Sequence, residues 1–168
     1  MKATDVKKFL KENGIETKKI SVSIRESGYA DTYISVYLKD INLPIEYISN
    51  LLKSKYDDYT RDVDGEILQG CNTFMHVQFD YETEFQAHKE IKETANKKIE
   101  EIKSNNGKTI LYLSPDNSIE LNACYFENQV RPVLTGKNIY RILLHENEYN
   151  LESAFLLMNR LAANNGKY

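Results

Sequence analysis

Two short runs on either side of Ser27-Gly28 alternate with a period of two, and this alternation limits the chain more than any other feature. Ile20, Val22 and Ile24 are interleaved with Ser21, Ser23 and Arg25; Ile34, Val36 and Leu38 are interleaved with Tyr33, Ser35 and Tyr37. Successive side chains on a strand point to opposite faces, so each run builds one aliphatic and one polar-aromatic face. The Ser-Gly step between them predicts an antiparallel hairpin. A slip of one residue would turn every aliphatic side chain to water, so the register is specified too. Val22, Ile24, Ile34 and Val36, with Val77 and Phe79 further on, are the expected core of the sheet.

The flanking segments supply helices. Val6, Phe9 and Leu10 share a helical face, and Asn13-Gly14 provides a stop. Pro44 suits the first turn of a second helix with Tyr47, Ile48, Leu51 and Leu52 as its stripe. Gly65 to Gln69 and Phe74 to Asp80 read as strands. A long helix is predicted from about Thr83 to Ser104, with Phe85, His88, Ile91, Ala95, Ile99 and Ile102 on one side and Asn105-Asn106-Gly107 ending it. Thr109 to Leu113 and Ser118 to Tyr125 form a hairpin across Pro115-Asp116-Asn117. A short helix is expected over Lys137 to His145, and Asn150 caps a last one. The predicted order is αββ-αββ-αββ-αα. This is an α+β fold of mostly antiparallel sheet with helices on one face, divided into lobes 1–81 and 82–168.

Charge is unevenly spread. Residues 1–25 hold 7 basic and 3 acidic side chains, residues 26–86 hold 4 and 12, and the whole chain carries −3. No apolar run approaches the roughly 18 residues needed to span a bilayer, and residues 1–8 lack the apolar region of a secretory signal. Two cysteines, Cys71 and Cys124, make no disulfide framework, so a cytoplasmic setting is expected. The basic N-terminal helix, with Lys2, Lys7, Lys8 and Lys11, reads as a solvated face rather than a phosphate contact.

The acidic middle also carries the most distinctive wording. Ile20 to Arg25, Ile34 to Val36, Tyr59, Arg61-Asp62, Gly65-Glu66-Ile67-Leu68-Gln69-Gly70 and Asn72-Thr73-Phe74 make the N-terminal half similar to a large polyvalent protein-associated domain. The chain departs from that family in having no Trp in the second strand, where Tyr37 or Leu38 stands. The resemblance implies a setting in proteins of phages and conjugative elements, many of which oppose host defence. It implies no catalytic residues.

Asp62-Val63-Asp64-Gly65 invites a calcium loop, but with Gly65 at the sixth position the first and last ligands would be Thr60 and Cys71, and both fail. Cys71 and His76 lack an orienting group and an oxyanion loop, so a small buried cysteine beside a sheet-face histidine is expected. Thr135-Gly136-Lys137 has Arg131 where a phosphate loop needs its first glycine. No metal or cofactor is expected. Two surfaces remain. One is the acidic loop of Asp57, Asp58, Asp62, Asp64 and Glu66, offset only by Arg61. The other is the outer sheet face, where Arg25, Tyr33, Tyr37 and His76 stand among Ser21, Ser23, Ser35, Phe74 and Gln78. Exposed aromatics beside arginine suit either a protein hot spot or a platform for bases.

The resulting expectation is a non-enzymatic binding protein of a phage or mobile element. Its sharpest form is an inhibitor of host defence, of the anti-CRISPR or antirestriction type, acting on a host protein or ribonucleoprotein with a basic surface. A nucleic-acid-binding accessory protein, binding weakly, is the alternative. An enzyme of unknown class comes third.

Overall fold

The expected antiparallel hairpin forms, with Ile24 opposite Ile34. The computed structural model describes residues 2–28, 30–59, 61–68, 70–104, 108–117, 119–126, 129–136 and 151–167. Its elements are α1 (Ala3–Glu12), β1 (Ile20–Glu26), β2 (Thr32–Leu38), α2 (Ile45–Tyr56), β3 (Thr73–Phe79), α3 (Tyr81–Ser104), β4 (Lys108–Leu113), β5 (Ile119–Phe126), β6 (Gln129–Gly136) and α4 (Leu151–Ala163). The fold is α+β, with two three-stranded sheets ordered β1-β2-β3 and β4-β5-β6. The helix expected over 137–145, the Asn150 cap and the 105–107 stop lie outside the described residues. Among the described residues no helix is long and apolar enough to cross a membrane.

The chain divides into two compact units. The first comprises residues 1–40 and 45–83; the second comprises residues 41–44 and 84–168. In the first, β1 pairs antiparallel with β2, Ile24 opposite Ile34 and Val22 opposite Val36. Helix α1 lies against β1, α2 against β3, and the two helices touch. Val6, Leu10, Ile20, Ile34, Val36, Leu38, Ile48, Leu52 and Met75 are buried. Val22, Ile24, Val77 and Phe79 are only half-buried. They sit on the outer strands β1 and β3, while the central β2 is flanked on both sides. Asn13-Gly14 ends α1 as expected: Gly14 has φ +79°, and the Ile15 amide donates to the Leu10 carbonyl at 3.0 Å. Tyr56, at the end of α2, meets the Phe9 ring edge-on at 5.6 Å. Burial, reinforced by Asp5 and Glu12, raises its hydroxyl pKa above the ordinary 10.0.

Two features of this unit differ from the sequence reading. Strand β3 runs parallel to β2, because the α2 crossover returns the chain in the same direction. Among its described residues, Gly65 to Leu68, the segment expected as a strand makes one antiparallel bridge, Arg61 to Ile67. Three local hydrogen bonds shape the segment instead. The Asp62 carboxylate closes a tight turn, and the Asn72 side chain takes the Leu68 carbonyl.

The second unit holds an antiparallel sheet. Strands β4 and β5 form the predicted hairpin, and β6 pairs along the far side of β5. Strand β6 was not legible because Pro132 interrupts its pattern; an edge strand tolerates proline where its N–H would face away from the ladder. Ala95 and Ile102 of α3, Leu121 and Ala123 of β5, and Ala154, Phe155, Leu157 and Leu161 of α4 make the core. Phe85, expected on the buried stripe of α3, is exposed. Near the end of α4, Arg160 Nε donates to the Ile41 carbonyl at 3.0 Å, and Asn164 Nδ2 donates to that of Asn42.

Candidate functional site

Strand register builds the site, which lies wholly within the first unit. Pairing sets Arg25, Tyr33 and Phe74 in one row across β1, β2 and β3. Ser23, Ser35 and His76 form the next row, and Ser21, Tyr37 and Gln78 the third. Arg25, Tyr33, His76 and Gln78 are exposed; Tyr37 is half-buried. The His76 Nε2 and Gln78 Oε1 atoms are 2.8 Å apart, so the imidazole is engaged along its own strand.

The first row extends into an aromatic ladder. The Tyr33 and Phe74 rings stack at 5.2 Å with 24° between planes. Tyr59 stacks on Phe74 at 6.1 Å and 12°. The Arg61 guanidinium lies 5.0 Å from the Tyr59 ring centroid. Four side chains from β2, β3 and the acidic loop therefore stand in sequence. Stacked rings and a cation over a ring each stabilise by about 0.5–1.5 kcal/mol at such sites. The ring faces are turned toward one another. Tyr33 and Tyr59, on either side of Phe74 in the stack, are 44% and 39% exposed, and Phe74 between them is half-buried.

The loop below the ladder is locked by its own carboxylates. Asp62 Oδ1 accepts the amides of Asp64 and Glu66 at 3.0 and 2.9 Å. The Asp62 amide donates to the Glu66 carbonyl at 2.9 Å, and Gly65 takes φ +85°, a conformation open to glycine at no steric cost. Arg61 Nη1 donates to the Gly65 carbonyl at 2.6 Å. Val63 stands at the turn fully exposed, and Ile67 and Leu68 are exposed beyond it. The loop thus exposes apolar side chains on a hydrogen-bonded turn.

The five loop carboxylates separate into two groups by what their oxygens accept. Asp57 Oδ1 accepts the Met75 amide at 2.9 Å, covering part of the β3 edge. Asp62 holds the turn. These two are half-buried and do structural work; Asp58, Asp64 and Glu66 are exposed. The backbone of Asp58 exchanges two hydrogen bonds with Thr73, at 2.9 and 2.6 Å, which leaves its side chain free to face water.

A second constellation was missed in the sequence. Buried Asp31 accepts both the backbone amide of Asn72, at 2.9 Å, and its side-chain amide, at 3.0 Å. The same Asn72 side chain donates to the Leu68 carbonyl at 2.7 Å. Asn72 therefore pins the acidic loop to the turn before β2. An Asp and an Asn separated by 41 residues give no local signal, although Asn72 stands in the most distinctive part of the wording.

Cys71 corrects another expectation. It is exposed, not buried, and adopts φ +59° directly after Gly70 at +97°. A side chain in that region costs about 1–2 kcal/mol. Replacement by glycine is therefore expected to raise stability by up to about 1 kcal/mol, and replacement by alanine to change it little. Both variants should keep the protein's biological activity, read alongside a denaturation curve. Loss of activity in a folded Cys71→Gly protein would contradict this. Among the described residues no hydrogen bond links Cys71 to His76, and no three His, Cys, Asp or Glu side chains gather into a metal-sized group.

Comparisons with protein-family models, with curated proteins and with solved structures find no match.

Proposed function

We propose that the chain is a non-enzymatic protein-binding module of a phage or mobile genetic element. It inhibits a host defence system, of the anti-CRISPR or antirestriction type, by occupying a host protein or ribonucleoprotein. One observation carries the binding half of this reading: a stacked ladder of Tyr33, Phe74, Tyr59 and Arg61 with both tyrosines exposed, in a unit whose acidic loop also exposes Val63, Ile67 and Leu68. Tyrosine and arginine dominate the residues that anchor protein interfaces. A ladder already ordered loses little freedom on binding, so more of its contact energy is expressed as affinity. The mobile-element setting rests on the residues of the Gly65 to Phe74 stretch and their family resemblance.

A nucleic-acid reading draws on the hydroxyl and imidazole row of Ser23, Ser35 and His76 beside Arg25. Base stacking, however, needs free ring faces, and those of Phe74 and Tyr59 are occupied within the ladder. Asp58, Asp64 and Glu66 also repel phosphates nearby. Fluorescence anisotropy with single-stranded DNA and RNA oligonucleotides separates the two readings. Dissociation constants weaker than about 10 µM are expected near physiological salt. Sub-micromolar binding at that salt, lost in Arg25→Ala, would favour the nucleic-acid reading instead.

A further inference from the structure

Among the described residues four strands stand at a sheet edge: β1 and β3 in the first unit, β4 and β6 in the second. An open edge is a row of unpaired backbone donors and acceptors, and proteins normally blunt it. Three of the four are blunted here. On β3, Thr73 exchanges two backbone hydrogen bonds with Asp58, and Asp57 accepts the Met75 amide. Strand β4 breaks register between Ile110 and Tyr112, and β6 carries Pro132. Strand β1 has no such device. It runs seven residues, Ile20–Glu26, in unbroken register with β2 and contains neither proline nor lysine.

The ladder shows which groups of β1 are open. The Lys39 amide donates to the Lys19 carbonyl and the Ser27 amide to the Asp31 carbonyl, both at 2.8 Å and both continuing the β1–β2 register. Odd-numbered residues of β1 therefore bond to β2, and even-numbered ones turn their N–H and C=O groups outward. The Ile20 amide is used by the Thr17 carbonyl at 3.2 Å. The open donors are thus the amides of Val22, Ile24 and Glu26, beside a matching row of carbonyls.

We propose that this edge pairs with the β1 edge of a second copy of the chain, antiparallel and centred on Ser23. About that centre the amides of Val22, Ile24 and Glu26 meet the carbonyls of Ile24, Val22 and Ile20 in the other copy, so every open donor is paired. The contact is isologous, the same patch on both copies. Side chains select this centre. Val22 and Ile24, half-buried in the single chain, lie opposite one another and complete the aliphatic face. Exposed Arg25 falls opposite Ser21, and exposed Glu26 reaches the turn that holds exposed Lys18. Moving the centre to Val22 would set Arg25 against Lys19; moving it to Ile24 would set Val22 against Glu26. Opposed residues on paired strands point to the same side. The pairing therefore joins two three-stranded sheets into one and places Tyr33 and Phe74 of both copies on one side of it.

Sedimentation equilibrium of the full chain over about 1–200 µM tests the association, because the dimer fraction follows protomer concentration. The wild-type mass should rise from 19.5 kDa toward twice that value. Val22→Pro deletes an outward donor in each copy and spares the β1–β2 ladder, since that N–H faces away from β2. It should stay monomeric throughout, with the hairpin NMR shifts retained. Ser23→Cys, in a Cys71→Gly background that removes the exposed thiol, tests the register. Directly opposed cysteines on antiparallel strands lie within disulfide reach. Mild oxidation should give a covalent dimer in which the linked tryptic peptides are two copies of residues 20–25. In the same background, Ser21→Cys and Arg25→Cys should link to each other when mixed, and poorly when alone.

A wild-type chain that stays monomeric at the highest concentration would overturn the inference and leave the edge to a strand of another protein. So would a dimer that persists in folded Val22→Pro protein. So would a dimer in which Ser23→Cys does not cross-link, and this result decides the matter if Val22→Pro does not fold.

Discussion

Replacing Asn72 by alanine is expected to destabilise the first unit by about 2–3 kcal/mol, one of the largest effects available outside the aliphatic core. The side chain makes two donor contacts, to Asp31 Oδ1 and to the Leu68 carbonyl, in a site where Asn72 is 3% exposed. Alanine leaves a buried carboxylate with one donor fewer and a carbonyl with none from this residue. An unsatisfied buried group costs about 1–3 kcal/mol, more when it is charged. Asn72→Asp should be worse, because it sets a second carboxylate against the first. The check is urea unfolding: a lower midpoint with an unchanged slope. A loss below 0.5 kcal/mol would mean the Asp31–Asn72 pair does not pin the loop. The position of the lesion is visible as well. Amide exchange should accelerate from Arg61 to Leu68 before it does in β2.

The largest expected effect on binding belongs to Tyr59. Its ring joins the sheet to the loop, with Phe74 on one side and Arg61 on the other. Tyr59→Ala removes both contacts and an exposed aromatic side chain. The sheet does not depend on it, since β3 is paired through its backbone with β2. Loss of folding stability should therefore stay near 1 kcal/mol, the size of one or two ring contacts. Loss of affinity for the partner should be larger, about 2 kcal/mol or thirtyfold, as at other tyrosine anchors. Tyr59→Phe keeps the stack and should keep most of the affinity. This difference between alanine and phenylalanine separates a ladder that binds from a hydroxyl that binds.

Much of this face was legible in the sequence. Alternation over 20–38 and 74–79 put Arg25, Tyr33 and Phe74 on one outward face; the row they form comes from the strand pairing. Tyr59 and Arg61 could have been added by the same rule, since two residues apart on an extended segment share a side. The parallel pairing of β3 was not legible, because the pattern of a strand does not report its direction. The division of labour among the loop carboxylates was equally hidden. Asp57 and Asp62 look like Asp58 and Asp64 in composition, yet they differ in what their oxygens accept. Replacing all four by asparagine would therefore confuse stability with binding; Asp58 and Asp64 are the pair to change together. Strand β6 and the Asp31–Asn72 contact needed the tertiary structure, the first for its proline and the second for its long sequence separation.

The ladder as the partner-binding surface is tested most directly by quantitative co-purification from the native host. Wild-type, Tyr59→Phe and Tyr59→Ala proteins are expressed at equal levels, with folding of each verified by its unfolding curve. Specific partners should be recovered with wild type and Tyr59→Phe, and should fall at least tenfold with Tyr59→Ala. Equal recovery of the same partner by folded Tyr59→Ala protein would contradict the assignment of this face.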